Sequence, residues 1–302
     1  MRSSTASDSV WRGRAVRLLL LLALCAVLAL CWGVGRAHDA KSARTPAVPL
    51  TEAALTESLP RLAVTAADRS DDSAGAAALD LSRYDGECRI DEGGGYILSG
   101  RLDGTLRINA PEQTVHLFLD GVTITSPDGP AVRVDAADKV VVTLLPGTES
   151  TLSDSGDYRA AAELEACVFS VCDLTFNGTG ALNVTGLYKD GLRSRDVLKI
   201  LDGDIRVTCR RTGVHGTDGI LVEGGTLTVS AEKYGFRTTK TGTDGRGSIV
   251  VAGGELTIIA GRYAFAANRG DLYIYGCTIH CRAVVDVYDV AGSVRIERGC
   301  IV

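Results

Sequence analysis

The sequence predicts an all-β fold: a right-handed parallel β-helix, a single-stranded solenoid of about 22–29 residues per turn. Three observations predict it. The first is a repeated row. Leu-Thr-Phe-Asn-Gly at 174–178 recurs at 198–203, 220–225, 249–254, 272–276 and 294–299, with closing glycines 25, 22, 29, 22 and 23 residues apart. A period of this length marks a solenoid, whose units bury their apolar faces only by stacking on one another. The second is the alternation of apolar and polar residues within each row, the period of a strand with one buried face. The runs are too short for helices, are rich in Thr, Val and Ile, and are punctuated by Gly or Asn-Gly.

The third observation is that each row carries three apolar columns. The first is Val168, Leu192, Val214, Phe236, Phe265 and Val287. The second is Leu174/Phe176 and its successors. The third is Leu182/Val184, Ile205/Val207, Leu227/Val229, Leu256/Ile258 and Ile279/Cys281. Three short strands per turn follow, and the rule for parallel crossovers supplies the right hand. Composition agrees: 5% aromatic residues and 35 glycines among 302 residues suit a core of small stacked side chains. A net charge of −5 gives no sign of nucleic-acid binding.

In chain order, residues 1–37 read as a targeting segment. Arg2, Arg12, Arg14 and Arg17 precede an apolar run at 18–35, so the remainder is expected to be exported. The segment is a signal peptide cleaved after Ala37 or a signal anchor that stays in the membrane. The mature part is then secreted or held at the cell surface. Residues 38–84 are Ala-, Ser-, Thr- and Asp-rich with prolines at 46, 49 and 60, and are expected to form a disordered linker. Residues 85–302 form the solenoid. Strands are expected at 96–100, 105–108, 115–119, 122–124, 131–134 and 139–144, and the polar loop at 153–165 is expected outside the stack.

The run Val-Thr-Leu-Leu-Pro-Gly-Thr-Glu-Ser-Thr-Leu at 142–152 is followed by Val-Phe-Ser-Val-Cys-Asp-Leu-Thr-Phe-Asn-Gly at 168–178 and Lys-Asp-Gly-Leu-Arg-Ser-Arg-Asp at 189–196. Together these resemble the bacterial extracellular carbohydrate-binding domain-containing proteins, over roughly residues 85–302. The resemblance implies a parallel β-helix similar to calcium-dependent pectate lyases, with calcium as cofactor. It also implies binding of acidic plant polysaccharide and cellulose. The later rows depart from the pattern, with Tyr234 and Tyr263 where the family row has an acid.

The rows also allow a reading independent of the family. Equivalent residues of successive turns stack about 4.8 Å apart. Lys189, Arg211, Lys233 and Arg262 fall in one column, Arg193, His215 and Arg237 in another, and Tyr234 and Tyr263 stand beside them. Such a stripe suits an acidic polysaccharide, its carboxylates on the cations and its sugar rings on the aromatic faces. The alternative is an ordinary solvated strand exterior. Asp173, Asp190, Asp196, Asp218 and Asp271 are the candidate calcium ligands, because calcium takes six to eight oxygens, several of them carboxylate. Their alternative role is to cap turns.

The function expected is non-catalytic extracellular binding of polysaccharide, polygalacturonate- or pectin-like, with cellulose as a further ligand and with calcium dependence. One alternative is a calcium-dependent polysaccharide lyase on the same fold, which needs a base with a depressed pKa; Lys189, near Asp190 and Asp196, is its candidate. Another is a structural surface spacer or adhesin. Seven cysteines lie beyond the targeting segment, and Cys277 and Cys300, each following a row-closing glycine, form the candidate disulfide.

Overall fold

The computed structural model describes residues 59–158, 162–241 and 246–302, all within one compact unit, Leu50–Val302. The targeting segment at 1–37 lies outside the described residues. Three parallel sheets wrap one core. Sheet 1 has ten strands, from Ala77–Asp80 to Val294–Ile296. Sheet 2 has nine, from Gly86–Ile90 to Asp286–Val290. Sheet 3 has eight, from Arg101–Leu102 to Thr278–Ala283. One turn runs through Asp173–Gly178 in sheet 1, Ala181–Gly186 in sheet 3 and Asp190–Ser194 in sheet 2, then returns to sheet 1 at Val197–Ile200. This is the predicted parallel β-helix.

The apolar columns are the core. Leu174, Leu198, Ile220, Ile249, Leu272 and Val294 stack in register in sheet 1. Leu182, Ile205, Leu227, Leu256 and Ile279 do the same in sheet 3. In sheet 2, Val168, Leu192, Val214, Phe236 and Phe265 follow one another, the two phenylalanine rings stacked at 5.4 Å. Val287 closes the column by packing against the core, although its neighbour Tyr288, which is exposed, is the backbone register partner of Phe265. The row-closing Gly178 and Gly225 both have φ of +85°. A β-carbon at Gly178 would collide with the Leu144 carbonyl, so the glycine period records a backbone shape that other residues resist.

Of the linker expected over residues 38–84, residues 38–58 lie outside the described residues, and 59–84 form ordered structure. Pro60–Leu62 and Leu81–Arg83 are 3-10 turns, Ala66–Arg69 is a short helix, and Ala77–Asp80 is the first strand of sheet 1, paired with 96–99. The outer face of sheet 1 explains the order. Leu62 covers an apolar stripe of Val197, Leu221, Val250 and Tyr273. Asp68, wholly buried, sits between Lys139 Nζ at 2.9 Å and Lys199 Nζ at 3.0 Å and accepts from Thr175 Oγ1 at 2.8 Å. Asn177 Nδ2 donates to the carbonyls of Asp68 and Ser70 at 2.8 and 2.9 Å. Residues 59–70 are thus a strap across sheet 1. No helix among the described residues is long and apolar enough to cross a membrane.

The loop after Ser153 does lie outside the stack, yet it is anchored. Tyr158 is buried, stacks on Tyr188 at 4.2 Å, and donates to Asp154 at 2.5 Å and to the Ala166 carbonyl at 2.9 Å. With Leu164, Ala166 and Phe169 it forms a small second cluster on the exterior of sheet 2.

Candidate carbohydrate-binding face

Both basic columns form on the outside of sheet 2. Backbone bonds from Arg211 N to Lys189 O, Lys233 N to Arg211 O and Arg262 N to Lys233 O, at 2.7, 3.1 and 2.8 Å, stack the first. Strand register stacks Arg193 on His215 and His215 on Arg237. The side chains divide into two halves with different chemistry.

In the first half the cations are held by two carboxylates. Asp190 has no exposed surface; it accepts from Arg211 Nε at 2.7 Å and Nη2 at 2.9 Å, from Thr212 N at 3.1 Å, and from His215 Nδ1 at 2.8 Å. Burial alone would raise its pKa, but the bonds from Arg211 and His215 outweigh burial and keep it ionised. A carboxylate can only accept, so His215 carries its proton on Nδ1, and Nε2 accepts from Thr239 Oγ1 at 3.0 Å. Burial pushes the His215 pKa down, against the pull of Asp190. His215 is therefore a neutral member of the ladder.

The second carboxylate is Glu165. It accepts from Lys189 Nζ at 2.8 Å, from Arg211 Nη2 at 2.9 Å and Nη1 at 3.2 Å, and from Arg193 Nη1. Glu165 is the residue the sequence reading missed, since it stands in a loop with no repeat register. Lys189, the candidate base, has its pKa raised: burial would lower it, but the hydrogen bond and charge of Glu165 prevail. That is opposite to the depressed value a lyase base requires.

The second half is open. Lys233 is exposed. The Tyr234 and Tyr263 rings lie nearly parallel, 14° apart in plane and 6.2 Å between centres. Arg262 sits 5.7 and 5.5 Å from the two centres and donates to the Tyr234 hydroxyl at 3.1 Å. Arg237 covers Tyr234 at 4.5 Å. The two tyrosines expected to offer free faces therefore differ: Tyr234 is buried beneath its cations, and Tyr263 is half-exposed.

The five candidate calcium ligands do not form one cage. Asp173 and Asp196 share Arg61 of the strap, which bonds Asp196 and lies 3.8 Å from Asp173. Asp218 pairs with Lys240 at 3.1 Å and Arg246 at 2.6 Å. Asp271 accepts from Tyr273 Oη at 2.9 Å and Ser293 N at 2.6 Å. Asp190 is committed as described. Among the described residues no three His, Cys, Asp or Glu side chains gather as a metal site would require. The donor set as it stands does not fit calcium's demand for six to eight oxygens, because the carboxylates lie apart and are taken by the chain's own cations or, at Asp271, by neutral donors. Cys277 and Cys300 carry free thiols. Ile279 pairs with Ile301, which places Cys277 opposite Gly299 and Cys300 one residue past the expected register. Burial, then the neighbouring Cys300 thiol, pushes the Cys277 thiol up to about 12.

Against known proteins, the family described as carbohydrate-binding domain-containing protein matches residues 84–298. A protein of that description from Acetivibrio thermocellus is 32% identical over 133 residues, 42% of this chain and 46% of the relative, so the match spans about half the relative's length. Among solved structures, a polysaccharide lyase-like protein from C. thermocellum, in a gadolinium derivative, superposes with a TM-score of 0.71 at 26% identity. That match covers 74% of this chain and 97% of that one.

Proposed function

The chain belongs to the carbohydrate-binding domain-containing proteins, and from that premise we propose that it binds polysaccharide, without cleaving it, along the exterior of sheet 2. We further propose that the polymer is acidic, of polygalacturonate or pectin type. The observation that carries this reading is the open half of the ladder. Lys233 and Arg237 of one turn and Arg262 of the next stand beside Tyr234 and Tyr263, and among the described residues no carboxylate pairs with them, on a protein of net charge −5. A guanidinium binds a carboxylate through parallel bonds, and an aromatic face carries the apolar side of a sugar ring. A repeating polymer laid along the solenoid axis meets equivalent positions at every turn, about 4.8 Å apart. Export through the segment at 1–37, with membrane contact if that segment is retained, would bring this face to an extracellular polymer.

The test is affinity electrophoresis of the full chain through gels containing polygalacturonate, with soluble neutral glucan as control and cellulose assayed by pull-down. Retardation by the acidic polymer that falls on Lys233→Ala, Arg237→Ala and Arg262→Ala supports the reading; unchanged mobility in every gel removes it. Repeating the gels with calcium and with chelator measures the calcium dependence that the resemblance implies. A lyase on this fold, the reading that the neighbour's description favours, would release product with a new carbon–carbon double bond, seen as ultraviolet absorbance. The protonated state of Lys189 argues for its absence.

A further inference from the structure

Glu165 is an acid in the middle of a cationic stripe, and its surroundings are those of a bound ligand. Its carboxylate is met by three cations from two turns, Lys189, Arg193 and Arg211. Two of those cations have a second carboxylate to hold them. Arg211 is fixed from below by two bonds to the fully buried Asp190, which is itself held by His215 and the Thr212 amide. Arg193 Nη1 also lies 3.8 Å from Asp190. Three cations face two carboxylates here, so one positive charge stays in excess even with Glu165 in place.

Glu165 and Asp190 also differ in access. Asp190 is sealed, whereas the Glu165 side chain is 24% exposed. The Glu165 main chain is secured separately, its carbonyl accepting from Asp190 N at 3.0 Å. Its φ of +24° is one that non-glycine residues seldom hold. The side chain can therefore turn outward without disturbing the strand that follows.

We propose that Lys189, Arg193 and Arg211 form a cradle for an external carboxylate and that Glu165 is its built-in competitor. This rests on the reading of sheet 2 as the binding face and adds regulation to it: a uronate carboxylate of the polymer displaces Glu165. The resting protein then binds more weakly than the cradle allows, since apparent affinity falls with the fraction of molecules in the competent state. If Glu165 fills the cradle about nine-tenths of the time, the loss is about tenfold.

The test uses a single sugar, so that it stands apart from polymer binding. Full-length wild type, Glu165→Ala and Glu165→Gln are titrated with sodium galacturonate against sodium chloride of equal ionic strength, following thermal midpoint and heat of binding. Both variants are expected to bind galacturonate about tenfold more tightly than wild type, and the gain is expected to vanish when Arg193→Ala is added. Equal or weaker binding by both variants overturns the proposal and leaves Glu165 as a structural counter-charge. Glu165→Gln keeps the shape of the side chain and guards against misfolding of Glu165→Ala. Galacturonate binding by the variants with no polymer retardation in any gel would sink the polysaccharide reading and leave the cradle standing.

Discussion

His215 Nδ1 lies 2.8 Å from Asp190, and both side chains are buried on the outside of the core. The imidazole that a column of cations placed among charged neighbours is thus uncharged and serves as a fixed donor. Its depressed pKa sets a sign. The unfolded state, with a His pKa near 6.5, takes up a proton that the folded state refuses, so this residue's contribution to stability is lost as pH falls below about 6.5. The prediction is that wild type loses urea midpoint relative to His215→Asn between pH 7 and 5. Parallel curves would contradict it.

Asp154 pulls the other way. Burial, against the bonds from Tyr158, Leu187 and Tyr188, raises its pKa from 3.8 to about 6. The folded state then holds a proton that the unfolded state has released, so its contribution is present at low pH and lost as pH rises through about 6. Asp154→Asn is expected to be less destabilising relative to wild type at pH 7.5 than at pH 4.5, as read by denaturant midpoint.

Asp68 lies between two buried lysines, Lys139 and Lys199. Burial would raise its pKa, but the Thr65 amide, Lys139, Thr175 and Lys199 hold it well below the ordinary range. Removing one partner of such a group strands the others, at a cost of about 3–5 kcal/mol. Asp68→Ala is expected to show that loss in urea unfolding, together with protease cleavage in residues 59–70. A loss below about 1 kcal/mol would mean the strap is only loosely placed.

In the core, Phe236→Ala removes one of two stacked rings and is predicted to cost about 3–5 kcal/mol. Tyr263→Ala, on the exterior, is predicted to leave stability within about 0.5 kcal/mol while weakening retardation by acidic polymer. Denaturation and gel mobility measured on the same two proteins separate core from binding face.

The divide between what the sequence reveals and what it conceals follows from the fold. Leu174, Leu198 and Ile220 are legible because interior positions recur with each turn and every turn imposes the same steric demand. The stacking of Arg193 on His215 was legible for the same reason, since register fixes outer positions as surely as inner ones. Much of what those outer side chains bond was hidden, because several partners come from outside the repeat: Glu165 from a loop and Arg61 and Asp68 from the strap. One signal was available. Thr65 and Asp68 form a reciprocal capping box, a local mark of order within the presumed linker.

The central claim, that open cations on sheet 2 read carboxylates on a polysaccharide, is tested most directly by calorimetric titration with polygalacturonate and with the same polymer fully methyl-esterified. Esterification keeps the sugar backbone and removes its charge. The account predicts binding of the acidic polymer that weakens with salt, at least tenfold weaker binding of the ester, and loss of the difference when Lys233, Arg237 and Arg262 are all changed to Ala. Equal affinity for the two polymers, unaffected by those substitutions, would contradict it.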